Sequence, residues 1–269
     1  MISGQNGRWA CAGSLMAMVL LATTVLAAEK HSRPAKIGEY IPDAQTVEMF
    51  SAIEKGDIAV KLIPKDSTQS NVVIENKTDR PLNVKLPSAF AGVPVLAQAA
   101  AGGAGRGRSG SSGNSGNQGT GGGMGGMGGM GGGGMFSLPP ESVGKFKVET
   151  VCLDHGKAEP RAAVPYEIKP LESYTAKPGV REVCQMLGDG KLNRRAAQAA
   201  AWHLNNDMSW EQLAAKRLRH ANGTSEPYFT AQEIQGGIQI ATTASAMAKQ
   251  RESTEKKSHS RTTPVTSGS

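Results

Sequence analysis

The chain has 269 residues, of which 34 are glycine and only 4% are aromatic, and it carries a net charge of +7. This composition excludes one continuous globular fold, because many of the glycines lie in a single run with no side chains to bury. The charge does not indicate nucleic-acid binding, since excluding Arg8, Arg106, Arg108 and a basic tail leaves about +1 on the segments predicted to fold.

Residues 1–27 have the pattern of a secretory signal peptide. Arg8 precedes an apolar run over residues 10–26, and Val25-Leu26-Ala27 offers the small residues that a signal peptidase reads. The alternative is a retained membrane anchor. We therefore predict a protein that is secreted, periplasmic or at the cell surface, with no stable membrane span after signal cleavage, in a compartment where disulfides persist.

Residues 28–98 are predicted to form a small β-rich module. Asp43 is a candidate cap for a helix that ends at Gly56. Larger apolar residues then recur at every second position over residues 58–62, 72–74 and 82–86, which is the period of half-buried strands. We interpret this segment as a binding or spacer module.

Two further segments are predicted to be disordered. Residues 99–135 form a Gly/Met-rich linker, which cannot bury enough apolar surface to offset the entropy of ordering. Residues 251–269 form a polar, basic tail without hydrophobic periodicity.

Residues 136–250 are predicted to form an α+β domain of two or three strands and about four helices. Strand patterns cover residues 146–152 and 164–169. The predicted helix starts are marked by a proline, a capping asparagine and two capping boxes, namely Pro178, Asn193, Ser209 with Gln212, and Thr230 with Glu233.

The cysteines of this domain allow a structural and a metal-binding interpretation. A Cys152–Cys184 disulfide would tie a strand to a helix and contribute about 3–4 kcal/mol in the chain-entropy model. Alternatively, Cys152-x-x-His155 has the spacing of metal ligands, and Cys184 and His203 complete a Cys2His2 set.

A third interpretation comes from residues 197–202, which read A-Q-A-A-A-W, and from the upstream run Cys152-Leu153-Asp154. These resemble the Thr-Gln-x-Ala-x-Trp and Cys-x-Asp motifs of the thioester domains of bacterial surface adhesins, although alanine replaces the threonine. The resemblance implies that Cys152 is the nucleophile, that Gln198 is the acyl donor, and that Trp202, one helical turn on, shields the bond from water.

The layout as a whole resembles a class of exported bacterial proteins of undefined activity. That class has a Gly/Met-rich linker ahead of a domain with Cys-Leu-(Asp/Glu)-His-Gly and Ala-Gln-Ala-Ala-x-Trp-His-Leu runs. The sequence thus predicts a non-catalytic structural or interaction protein of the cell envelope that binds an unknown protein or envelope component without a cofactor. The alternative function is covalent capture of amines through the Cys152–Gln198 thioester.

Overall fold

The structure is a computed structural model that describes residues 36–95, 116–126 and 134–262. The described residues belong to one compact unit that spans residues 34–269. The predicted signal peptide, residues 1–27, lies outside the described residues.

The described residues contain eleven strands. They are β1 (Gln45–Glu48), β2 (Ile58–Pro64), β3 (Gln69–Asn76), β4 (Leu82–Lys85), β5 (Phe90–Pro94), β6 (Thr120–Gly122), β7 (Met135–Leu138), β8 (Val143–Cys152), β9 (Tyr166–Pro170), β10 (Arg217–Arg219) and β11 (Ser225–Pro227). Of these, β2, β3, β8 and β9 show alternating burial over much of their length.

Six of these strands close into a barrel in the order β2-β3-β8-β6-β5-β9, and every neighbouring pair is antiparallel. Beside the barrel, β1, β4 and β7 form a small sheet, and β10 and β11 form a separate ribbon. The barrel core is filled by aliphatic and aromatic side chains of β2, β3, β5, β8 and β9, including Leu62, Val72, Phe90, Phe146 and Ile168.

The longest barrel strand, β8, shows how the sheet is covered on its two faces. From Val143 to Thr150 exposed and buried residues alternate, as expected for a strand with one solvated face. Val151 and Cys152 are then both buried. Val151 lies on the outer face, which helices cover at this end, and packs in the helical core. Cys152 lies on the opposite face and packs in a separate aromatic cluster.

Five α-helices lie within the described residues: α1 (Met49–Lys55), α2 (Val180–Gly188), α3 (Arg194–Asn206), α4 (Trp210–Ala215) and α5 (Ala231–Thr262). The predicted caps of α3, α4 and α5 are confirmed by hydrogen bonds from the backbone to Asn193, Ser209 and Thr230. Gly56 ends α1 in the left-handed conformation, as predicted, but Glu48 rather than Asp43 caps its start.

Small residues bring α3 and α5 close together. A Cβ built on Gly237 of α5 would lie 3.1 Å from the Cβ of Ala199 and 3.2 Å from the carbonyl oxygen of Ala196. The alanines of α3 and the glycines of α5 thus permit the close approach of the two helices.

The expectation that residues 99–135 are a disordered linker is wrong for the part that the structure describes. Residues 120–122 are a barrel strand, and Met124 is fully buried in the barrel core. The glycines here permit close packing rather than freedom: a Cβ on Gly123 would lie 2.5 Å from the carbonyl oxygens of Ser88 and Cys184. At Gly121, Gly122 and Gly123 neighbouring atoms occupy the space of a Cβ, so these positions require residues without side chains.

The predicted division into a 28–98 module and a 136–250 domain also differs from the structure. Barrel strands from residues 58–94 are interleaved with strands from residues 120–170. Both segments therefore share one hydrogen-bonded sheet and one core. Neither segment has enough strands to close the barrel alone.

The mixed class of helices and sheets is confirmed, but the expected two or three strands of the C-terminal part are too few. Between residues 135 and 227 the described chain has five strands, because β7 and the β10–β11 ribbon were not predicted. The tail is also partly ordered, since α5 continues to Thr262. Arg251 anchors this extension through an ion pair of 2.9 Å with the buried Glu182 of α2.

Candidate functional site

The side-chain amide of Gln198 is hydrogen-bonded to the main chain of Cys152. Gln198 Oε1 accepts from the Cys152 N–H at 2.8 Å, and Gln198 Nε2 donates to the Cys152 carbonyl oxygen at 2.9 Å. Cys152 and Gln198 are 1% and 2% exposed, so water does not reach the pair in this conformation. The fold therefore joins two residues that are 46 positions apart.

The position of Gln198 follows from the composition of α3. The Asn193 side chain caps the helix by accepting from the Ala196 N–H at 3.0 Å, and the alanines that follow are almost completely buried. Gln198 is the one long polar side chain on this buried surface. A buried amide needs hydrogen-bond partners, and the end of β8 supplies both of them.

Trp202, one turn after Gln198 on α3, packs in the same apolar cluster as Cys152. Its ring lies 4.9 Å from the His155 ring, 5.5 Å from that of Tyr228 and 5.9 Å from that of Phe229, measured between centroids. The structure thus brings together the three residues of the predicted thioester site, Cys152, Gln198 and Trp202, beneath a layer of aromatic side chains.

Ionisation of the Cys152 thiol is strongly unfavourable. Burial, with a smaller contribution from the negative charge of Glu159, raises its pKa to about 12. Its Sγ makes a weak contact of 3.9 Å with the Ser67 carbonyl oxygen. Because the thiolate is the nucleophilic form of cysteine, any attack by Cys152 must be accompanied by loss of the thiol proton.

The predicted disulfide is wrong: Cys152 and Cys184 are both buried free thiols. Cys152 pairs with Thr120 across the β8–β6 ladder, and Val151 pairs with Gly121. Because successive residues of a strand face opposite sides of a sheet, Cys152 and Val151 lie on different faces. Cys184 packs against Gly121, on the face of Val151, so the sheet separates the two sulfur atoms.

The predicted metal site does not assemble either. Within the described residues no group of three or more His, Cys, Asp or Glu side chains is arranged to hold a metal ion. His203 is stacked on Trp210 at 4.2 Å, and its Nδ1 lies 2.7 Å from the Met208 carbonyl oxygen. His155 instead contacts a lysine.

His155 and Lys216 form a pair that the sequence did not indicate, because the residues are 61 positions apart. Lys216 Nζ lies 2.9 Å from His155 Nε2, and the His155 main-chain N–H donates to Asn206 Oδ1 at 3.2 Å. Burial and the neighbouring Lys216 charge lower the pKa of His155. Burial also lowers the pKa of Lys216, against the opposing charge of Glu159.

Asp154 fixes the loop that follows Cys152. Its Oδ2 accepts from the Gly119 N–H at 2.7 Å and from the Tyr174 hydroxyl, and its Oδ1 lies 3.4 Å from Lys157 Nζ. These bonds tie the entry to β6 against the end of β8. Asp154 was noted in the Cys-Leu-Asp run, but its partners could not be read from sequence spacing.

No protein-family model, curated protein or solved structure matches this chain. The fold and the site geometry are therefore the basis for functional inference. Among the helices of the described residues, none combines the length and apolar character that crossing a bilayer requires.

Proposed function

We propose that the protein is exported to the cell envelope or secreted, and that it attaches covalently to amine-bearing partners through an internal Cys152–Gln198 thioester. The observation that supports this proposal is the contact of the buried Gln198 amide with Cys152. The apolar run of residues 10–26 supports export.

Formation of the thioester needs no further reactant. Cys152 Sγ attacks Gln198 Cδ, the Sγ–Cδ bond forms, the Cδ–Nε2 bond breaks, and Nε2 leaves as ammonia with the thiol proton. Negative charge develops on Gln198 Oε1 during this attack. The Cys152 N–H already donates to that oxygen at 2.8 Å, so it is placed to stabilise the charge in a water-excluded site.

In the capture step, the Cys152 sulfur is the leaving group. A neutral primary amine attacks the thioester carbon, an amide bond forms, and the sulfur leaves and regains a proton as the Cys152 thiol. Trp202 and the aromatic cluster around it limit water at the bond, which disfavours hydrolysis relative to capture.

A purely structural role for Gln198 uses the same hydrogen bonds. In that case Gln198 clamps α3 to the end of β8, and the protein is a non-catalytic structural or interaction protein of the envelope. Both bonds involve main-chain atoms of residue 152, so a Cys152→Ser substitution preserves the clamp while removing the nucleophile. This difference separates the two functions.

The test is the intact mass of the full chain, purified without reductant, before and after incubation with methylamine. We expect wild type to lack one ammonia and to gain one methylamine on incubation. Cys152→Ser and Gln198→Ala should show neither change, whereas Gln239→Ala, which alters an exposed glutamine of α5, should match wild type.

Circular dichroism of each variant separates loss of chemistry from loss of fold, and Cys152→Ser is the decisive variant because its clamp is intact. A wild-type mass equal to that of the unmodified chain would overturn the thioester and leave the structural role. A deficit that methylamine does not reverse would equally contradict capture.

A further inference from the structure

The Lys216 ammonium is held among three rings. Its Nζ lies 5.3 Å from the Trp202 ring centroid, 5.1 Å from the Tyr228 ring centroid and 2.9 Å from His155 Nε2. We call His155, Trp202 and Tyr228 the amine pocket. Aromatic faces attract ammonium groups, and the attraction grows when water is excluded.

The pocket binds this charge with rings and an imidazole instead of a carboxylate. Among the ion pairs of the described residues none includes Lys216, and Glu159 acts on it only as a nearby charge. Lys216 is partly buried, and loss of part of the hydration of an ammonium costs free energy when no carboxylate pairs with it. The rings and the imidazole are the groups that face this ammonium.

The amine pocket adjoins the Cys152–Gln198 pair through Trp202. That tryptophan stands one turn from Gln198 on α3 and packs in the cluster that contains Cys152. His155, Lys216 and Tyr228 are each only partly buried, so an incoming side chain can reach the pocket from solvent.

We propose that the amine pocket receives the ammonium of a lysine side chain, or of another primary alkylamine, on the partner, and that Lys216 occupies the pocket until that ammonium displaces it. The role in capture rests on the proposed thioester. In this role His155 Nε2 accepts one ammonium proton, the neutral amine attacks Gln198 Cδ, and the second proton released from nitrogen passes to the leaving Cys152 sulfur.

Binding to the pocket can be tested without the thioester. In a Cys152→Ser chain, with and without Lys216→Met, n-butylammonium or n-butanol is titrated while the Trp202 indole N–H resonance is followed by NMR. We expect n-butylammonium to shift the resonance saturably, with a midpoint concentration roughly tenfold lower in the Lys216→Met chain, where Lys216 no longer competes. We expect no matching shift with n-butanol.

Lys216→Met keeps the unbranched side chain and leaves the Lys216 main-chain bond to the Leu213 carbonyl intact, so the fold should persist. An equal response to n-butanol would show an apolar crevice without selectivity for ammonium. An unchanged or higher midpoint for n-butylammonium would show that Lys216 does not compete for the pocket. Either result overturns the proposal.

The second measurement is the rate at which chains that lack one ammonia capture n-butylamine. Lys216→Met should capture it roughly tenfold faster than wild type, and Lys191→Met, an equal charge change at an exposed site, should match wild type. An equal or slower rate in Lys216→Met overturns the role in capture. If the mass of wild type shows no loss of ammonia, the thioester proposal is overturned. The amine pocket is still tested, because the n-butylammonium titration does not depend on the thioester.

Discussion

At the scale of single residues, the thioester proposal depends on the environment of Gln198. A buried glutamine on an alanine-rich helix would cost stability if its amide had no partners. The main chain of Cys152 satisfies both the oxygen and the nitrogen. The same arrangement that makes the amide tolerable also sets it against the main chain of a cysteine, which is why the mass measurement is informative.

His155 provides a residue-scale prediction about pH. Its pKa in the folded protein is below the ordinary 6.5 because of burial and Lys216. The folded state therefore binds fewer protons than the unfolded chain between the lowered pKa and 6.5. The free energy of unfolding should therefore rise with pH across this window. The contribution of His155 is complete above the window and is lost as the solution is acidified.

Urea unfolding at a series of pH values checks this prediction, with His155→Asn as the comparison. We expect wild type to lose more stability than His155→Asn as the pH is lowered through the window. Parallel pH profiles for the two proteins would contradict a lowered pKa at His155.

At the scale of elements, the ordered glycine segment 116–126 supplies a barrel strand and the turn that follows it. A Cβ on Gly123 would meet the carbonyl oxygens of Ser88 and Cys184, which are backbone atoms that cannot rotate away. A Cβ on Gly116 would meet nothing within 4 Å. The same substitution should therefore have different effects at these two positions.

We expect Gly123→Ala to lower the free energy of unfolding by about 1–3 kcal/mol, as overpacking of a tight interior does. Gly116→Ala should change it by less than about 0.5 kcal/mol, as surface substitutions do. Denaturant unfolding measures both variants. Equal stabilities would contradict the close approach of Gly123 to the main chain of Ser88 and of Cys184 in α2.

At the scale of the whole molecule, the order of the barrel strands decides what can fold alone. A fragment of residues 136–269 contains β8 and β9 but lacks β2, β3, β5 and β6, so four of the six barrel strands are missing. Its apolar surface would have no partner sheet, and isolated strands are unstable in water.

We therefore expect residues 136–269 to lack a cooperative unfolding transition, and residues 34–269 to unfold in a single step. Calorimetry and near-ultraviolet circular dichroism measure both. A folded 136–269 fragment, or two separate transitions in the longer one, would support the two-module organisation that the sequence suggested.

Local features could be predicted from the amino-acid sequence alone. The caps at Asn193, Ser209 and Thr230 and the alternation in β2, β3 and β8 could be predicted, because capping and strand period depend on residues a few positions apart. Composition suggested disorder for the glycine segment and the tail, but long-range packing orders 120–126 and extends α5, since composition does not report which surfaces lie nearby.

Contacts between residues far apart in the chain could be read only from the folded structure. The motif resemblance selected Cys152, Gln198 and Trp202, and the closed barrel with α3 against β8 brings them into one cluster. The same sheet places Cys152 and Cys184 on opposite faces, which no spacing rule reveals. Strand order and helix docking are set by burial of the whole core, so contacts such as Lys216 with His155 become visible only once the chain has folded.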